Sequence, residues 1–185
     1  MKMFIRLGFI LLAVSAIATA LLAYVNSITE PKIKELRIKE AEAARSYLIP
    51  DAAFTGLTII GEDSLYVAKD KETGQIKGYT FTAAKSGYSS VVKTMAAIDP
   101  DFKLLKIKVT EQAETPGLGA NCTQNDFAAC FENLNAGQLL VDKDGGSIRS
   151  LTGATITSRA IANSLQEQIA EVKKYLDSRQ TEVRP

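Results

Sequence analysis

The 185-residue sequence has no histidine, no tryptophan and only two cysteines. Without histidine there is no Ser-His or Cys-His nucleophile pair, no ordinary haem ligation and little prospect of a catalytic zinc site. Cys122 and Cys130 are eight positions apart, which is neither C-x-x-C nor an iron–sulfur run, and two thiolates do not complete a tetrahedral metal site. If 123–131 is helical, that spacing separates the sulfurs by about 12 Å along the axis, too far to bridge. If 121–122 is a loop folding back, a disulfide is within reach, so a disulfide and buried free thiols both stay open. A surplus of either charge is also missing: 22 basic and 21 acidic residues give a net charge of +1, which argues against a nucleic-acid partner. No catalytic residue and no metal site is expected. Any chemistry falls to a bound cofactor.

The clearest positive signal is N-terminal. Leu7 to Ile28 is a run of 22 residues without a charge, about 33 Å as a helix and enough to cross a hydrocarbon core. Ala18-Thr19-Ala20 has the A-x-A form of a signal-peptidase site, but cleavage there would leave Leu21 to Val25 as an exposed apolar terminus. The reading favoured is an uncleaved anchor. Lys32, Lys34, Arg37 and Lys39 outnumber Lys2 and Arg6, so the charge rule alone does not put the N-terminus inside.

Pro31 suits the first position of a second helix running to about Leu48, a Lys- and Glu-rich stalk ended by Pro50 and Asp51. Strand-like runs follow at Leu65–Val67, Ile76–Ala83, Val91–Ile98 and Leu104–Val109, separated by turn signals such as 72–74, 85–87 and 99–101. A short helix is expected around Asn125 to Asn133 and a strand near Gln138 to Val141. From Ile156 the apolar positions fall at Ile161, Leu165, Ile169, Val172 and Leu176, one face of a long terminal helix. The expected fold is α+β, an antiparallel sheet with a packed terminal helix. The expected organisation is a transmembrane anchor at 1–28, a stalk at 29–50, one domain at 51–179 and a tail at 180–185.

Two segments carry candidate chemistry. Leu151 to Arg159 is a hydroxyl-rich turn of small residues opening onto the terminal helix, which is expected to begin near Thr157 or Ser158 as N-cap. The free N–H groups and positive dipole end there form an anion site beside Thr155, with Arg149 and Arg159 as the nearest cations. A plainer reading is that Thr155 and Thr157 only cap the helix. Glu114-Thr115-Pro116-Gly117-Leu118-Gly119 suits a type II turn with Gly117 at positive φ. It is not a dinucleotide fingerprint, because the third glycine is missing and Asn121-Cys122 follows where a helix should open. Tyr79, Phe81 and Tyr88 read as core or edge packing.

At these residues the chain resembles a known family. Thr152-Gly153-Ala154-Thr155 is similar to the [Ser/Thr]-Gly-Ala-Thr motif of the FMN-binding domains in the G subunit of the Rnf ion-translocating ferredoxin:NAD oxidoreductase complex, a motif also found in the C subunit of the sodium-translocating NADH:quinone reductase. Glu114 to Gly119 resembles the Glu-Thr-Pro-Gly-Leu-Gly segment those subunits share. Asn26-Ser-Ile-Thr-Glu-Pro-Lys-Ile33 resembles the pattern after their membrane helix. Three matches in the right order span almost the whole chain.

The resemblance implies FMN attached by a phosphoester to Thr155, with Thr152, Gly153, Ala154, Thr157 and Ser158 around the phosphate. It places Glu114, Thr115, Gly117, Leu118 and Gly119 beside the isoalloxazine, with Thr115 and Leu118 touching the ring. It further implies a single-pass subunit of the bacterial inner membrane with its FMN domain on the extracytoplasmic, periplasmic side. Its partners would be membrane lipid, other membrane and iron–sulfur subunits, and a flavin transferase for maturation. The implied role is electron relay between ferredoxin and NAD, coupled to ion translocation. Two alternatives accompany it: a C-type subunit of the quinone reductase, for which the chain is short, and a membrane-tethered, non-redox FMN-binding or sensor module. One position departs from the family, in which an aspartate usually stands three residues before the tetrad: here it is Arg149, and the nearest acids are Asp142 and Asp144.

Overall fold

A computed structural model describes residues 2–60 and 63–182, which divide into two units, Met1–Ala41 and Glu42–Pro185. The first is helical wherever it is described and belongs to helix α1 (Lys2–Leu48). That helix is long and apolar enough to cross a membrane, and its apolar side chains from Phe4 to Ile28 are exposed. Pro31 lies inside α1 rather than opening a new helix. It returns no N–H to the Ser27 carbonyl, while the Ser27 and Thr29 hydroxyls donate back to the Tyr24 and Val25 carbonyls at 2.7 and 2.9 Å.

The second unit is built on five strands in sequential antiparallel order: β1 (Ala52–Ile60), β2 (Asp63–Asp70), β3 (Ile76–Ser86), β4 (Val91–Ile98) and β5 (Leu104–Glu111). Hairpin-linked neighbours need no crossover, so the chain lays the sheet down as a meander. Val92, Ala96, Ile98, Leu104, Ile107 and Phe81 face one core. Helix α3 (Thr155–Glu182) closes it, packing Ile161, Leu165, Ile169 and Val172 against β3 and β4 along the stripe the spacing predicts. The last turn of α1 also belongs to this unit. Ala44 and Leu48 near the end of the helix and Ile49 just after it are buried, and the Arg45 guanidinium lies 3.8 Å from the Tyr66 ring centroid.

Between β5 and α3 the chain has little regular structure. The expected helix shrinks to α2 (Asn125–Ala129), whose Phe127 stacks edge-on with Phe131 at 5.2 Å. The strand expected at 138–141 is absent. A single turn at Ala136–Gln138 precedes it, and Val141 makes only an isolated bridge to Ile148. Close approach explains the failure, since a Cβ on Gly146 would lie 1.9 Å from the Leu140 carbonyl oxygen, so the backbone folds on itself instead of pairing with the sheet. The segment expected as a tail overlaps α3, which continues to Glu182, and Val183 to Pro185 lie outside the described residues.

Leu165 is fully buried under the sheet. Leu165→Ala is expected to destabilise the detergent-solubilised protein by about 2–5 kcal/mol, read as a lowered thermal midpoint. A midpoint unchanged from wild type would mean that α3 does not close the core.

Candidate functional site

A cavity of about 460 Å³ opens where three separate segments meet. The Gly-rich loop contributes Glu114, Thr115, Leu118 and Gly119, the start of α3 contributes Gly153 to Thr157, and the β3–β4 loop contributes Tyr88. The volume lies within the range of small-molecule and cofactor sites. Gly117 has φ +77 and the Leu118 N–H donates to the Thr115 carbonyl at 3.1 Å, the turn its sequence predicts. Gly153 has φ +73, a conformation that suits glycine, and places α3 beside this loop.

Glu114 joins all three segments. It is only 6% exposed. Its Oε1 accepts the Ser89 and Ser90 N–H groups at 2.9 Å each, and its Oε2 accepts the Tyr88 N–H at 3.2 Å and the Thr157 hydroxyl at 2.7 Å. A Cβ on Gly119 would lie 2.7 Å from Glu114 Oε2 and 2.9 Å from Thr157 Oγ1, so the second glycine of the loop is where the carboxylate needs its space. Burial pushes the Glu114 carboxyl up. The bonds from Thr157, Ser89, Ser90 and Tyr88 outweigh it and hold the group below its ordinary value, hence ionised.

The hydroxyls at the start of α3 divide by use. Helix α3 begins at Thr155, two residues before the expected start, because neither expected cap is free to cap. Thr157 donates to Glu114. Ser158 is fully buried, donates to the Ala154 carbonyl at 3.1 Å and accepts the Leu151 N–H at 2.9 Å. Among the described residues Thr155 has no hydrogen-bond partner for its hydroxyl, and it lines the cavity at the helix N-terminus, where the first N–H groups have no partner within the helix.

Other expected positions fall elsewhere. Thr152 and Gly117 line an adjacent cavity of about 390 Å³ with Arg149, and Leu118 borders both cavities. Arg159 does not face the cavity as an unpaired cation: its guanidinium holds Asp144 through two bonds of 2.6 and 2.7 Å. Asp142 accepts both the N–H and the hydroxyl of Ser150. Cys122 and Cys130 are both free thiols, which closes the disulfide alternative. Burial, and then the Glu114 charge, push the Cys122 thiol up to about 11. Phe81 is core and Tyr79 packs against it, as expected. Tyr88 does not pack; it is 72% exposed at the cavity. Its sequence context between Gly87 and Ser89 gives a turn signal rather than a strand signal, and a turn signal points to exposure.

Comparison with known proteins identifies the class. An FMN-binding domain family matches residues 87–170, which include every segment lining the cavity, and the RnfG N-terminal region matches residues 1–45. The G subunit of the Na(+)-translocating ferredoxin:NAD(+) oxidoreductase complex of Acetobacterium woodii is 32% identical over 91% of each chain. The G subunit of the ion-translocating oxidoreductase complex of Methanosarcina acetivorans is 29% identical over 86% of this chain and 89% of its own. Among solved structures, the C subunit of the Na(+)-translocating NADH-quinone reductase of Parabacteroides distasonis has the same fold, with a TM-score of 0.54 and 23% identity over 75% of this chain and 83% of its own. The chain belongs to the family of G subunits of ion-translocating oxidoreductase complexes.

A carboxyl whose value is lower folded than unfolded contributes stability above its ordinary value of 4.5 and loses that contribution as pH falls through the folded value. Glu114→Gln is therefore expected to be less stable than wild type by about 1–3 kcal/mol at neutral pH, with the gap narrowing below about pH 4.5. Thermal unfolding of both proteins across the acid range checks this. A gap that stays constant into acid would show that Glu114 is not an ionised partner.

Proposed function

We propose that this chain is the flavin-carrying electron-transfer subunit of an Rnf-type complex, with FMN joined through its phosphate to Thr155 Oγ1. The observation that carries the reading is the division of hydroxyls at the start of α3: Thr157 and Ser158 are committed to protein partners, whereas Thr155 is unpartnered among the described residues and lines the cavity. The residues present fit the group. Gly153 and Ala154 keep bulk away from the Thr155 hydroxyl, and the first N–H groups of α3 suit a phosphate oxygen. Thr115 and Leu118, from the Gly-rich loop, line the space that would take the flat ring. When bound, FMN supplies reversible one- and two-electron transfer, which no side chain here offers. Attachment forms the Thr155 Oγ1–phosphorus bond and breaks the phosphoanhydride of a flavin dinucleotide donor. The nucleoside monophosphate leaves and the threonine proton is released, so the step needs a flavin transferase acting on an accessible threonine. The chain gains the mass of FMN less one water.

The relatives' names supply the setting: the G subunit of a ferredoxin:NAD(+) oxidoreductase complex, Na(+)-translocating in Acetobacterium woodii and proton-translocating in Clostridium ljungdahlii. By this reading α1 is a retained single-pass anchor, since the family's N-terminal region runs through residues 1–45 instead of starting after a cleavage site. The FMN domain then lies on the periplasmic side, where lost flavin is not replaced and a covalent bond keeps the relay loaded. Electrons pass to and from partner membrane and iron–sulfur subunits.

The test is intact mass and in-gel flavin fluorescence of the denatured full chain, co-expressed with a flavin transferase, beside Thr155→Val. The expected result is a gain of one FMN less one water that is abolished in T155V, which also means that Arg149 is tolerated in place of the family's aspartate. No gain, while the transferase labels a control substrate, overturns the covalent reading.

A further inference from the structure

Tyr88 has a backbone held more tightly than its side chain requires. The β3–β4 loop is short, closed by the Gly87 N–H donating to the Ser90 carbonyl at 2.7 Å. Three consecutive N–H groups, those of Tyr88, Ser89 and Ser90, then converge on the one buried carboxylate of Glu114. The Ser90 hydroxyl adds a further bond at 3.3 Å and accepts the Ala113 N–H at 2.8 Å, tying the loop to the residue before Glu114. Gly87 is fitted to the same arrangement, because a Cβ there would lie 2.7 Å from Glu114 Oε1. Burying a carboxylate is unfavourable unless it is fully hydrogen-bonded, and here it is satisfied chiefly by ordering one loop. The single large side chain of that loop is 72% exposed, and among the described residues it has no hydrogen bond, ring partner or cation partner.

Other exposed apolar side chains gather at the same place. Leu118 from the Gly-rich loop and Ile156 from α3 are 43% and 51% exposed, and both line the cavity with Tyr88. Exposed apolar groups converging on one cavity from three segments mark a binding surface rather than scattered surface residues. A planar aromatic ligand would cover all three.

We propose that Tyr88 stacks on the ring of the bound flavin, and that Glu114 is the positioning residue that holds it there through the backbone of 88–90. The inference rests on the reading that FMN occupies this cavity, and it adds which residue covers the ring and what sets that residue's place.

The test uses the full chain in detergent, loaded with FMN by a flavin transferase, with flavin stoichiometry measured on each preparation. A tyrosine ring in contact with a flavin quenches its emission, so wild type should be weakly fluorescent. Tyr88→Ala, an exposed substitution that leaves the core intact, should raise the fluorescence yield several-fold and lengthen the lifetime at equal flavin content. Tyr88→Trp should restore quenching. Glu114→Gln should raise emission when Tyr88 is present and add nothing in the Tyr88→Ala background, as expected when one residue acts through the other. Loaded Tyr88→Ala with unchanged yield and lifetime would overturn the stacking. Equal increases from Glu114→Gln in both backgrounds would overturn the positioning role. A wild-type chain that takes up no FMN at all would instead overturn the flavin reading, and this inference with it.

Discussion

The site depends on one buried carboxylate. Glu114 lies between β5 and the Gly-rich loop, accepts three backbone N–H groups from the β3–β4 loop, and takes the Thr157 hydroxyl from the first turn of α3. These segments are far apart in sequence; the pairing of β4 with β5 brings the β3–β4 loop near Glu114, and the carboxylate adds the start of α3. A neutral side chain has fewer acceptor positions and would leave at least one donor unmatched in a dry setting, where an unpaired group is expensive. The two glycines beside the carboxylate, Gly87 and Gly119, are part of the same arrangement, because either Cβ would fall 2.7 Å from a carboxylate oxygen.

The rest of the second unit brings those segments within reach. A meander keeps β3 and β4 adjacent, so their connecting loop projects from one end of the sheet, and α3 crosses β3 and β4 with its N-terminus at that end. The irregular stretch from α2 to Ile148 is held by Phe127, Phe131, Leu139, Val141 and Ile148 in the common core. Apolar anchoring therefore replaces regular hydrogen bonding over the segment that returns the chain to the start of α3.

What is legible in the sequence follows from periodicity and turn chemistry. The stripe of α3, strands β2 to β5 and the Gly117 turn all rest on local patterns that the structure retains. Most of strand β1 escapes such a reading because Ala52, Ala53, Gly56 and Thr58 give little β signal; its pairing with β2 and burial of Ala52 override weak propensity. The start of α3 is displaced from its sequence expectation because a hydroxyl that looks like a cap is spent on a tertiary partner. Arg159 has the sequence position of a cation for an anion site, but Asp144, fifteen residues earlier, takes it. Each difference is a non-local contact. Glu114 stands out in the sequence by resemblance alone, and its role as the bridge among three segments has no local signature.

The charges around Thr155 bear on the form in which a phosphate would be held. Among the described residues no lysine or arginine lines the cavity, Arg159 is committed to Asp144, and Arg149 borders the neighbouring cavity. The positive element present is the N-terminus of α3, equivalent to roughly half an elementary charge. The ionised Glu114 lies close by and opposes negative charge. A free phosphate monoester carries about −1.5 to −2 at neutral pH, a poor match for half a positive charge facing a buried carboxylate. A diester carries a single negative charge and needs no arginine to balance it. The electrostatics at the start of α3 thus match a singly charged phosphate diester better than a free phosphate monoester.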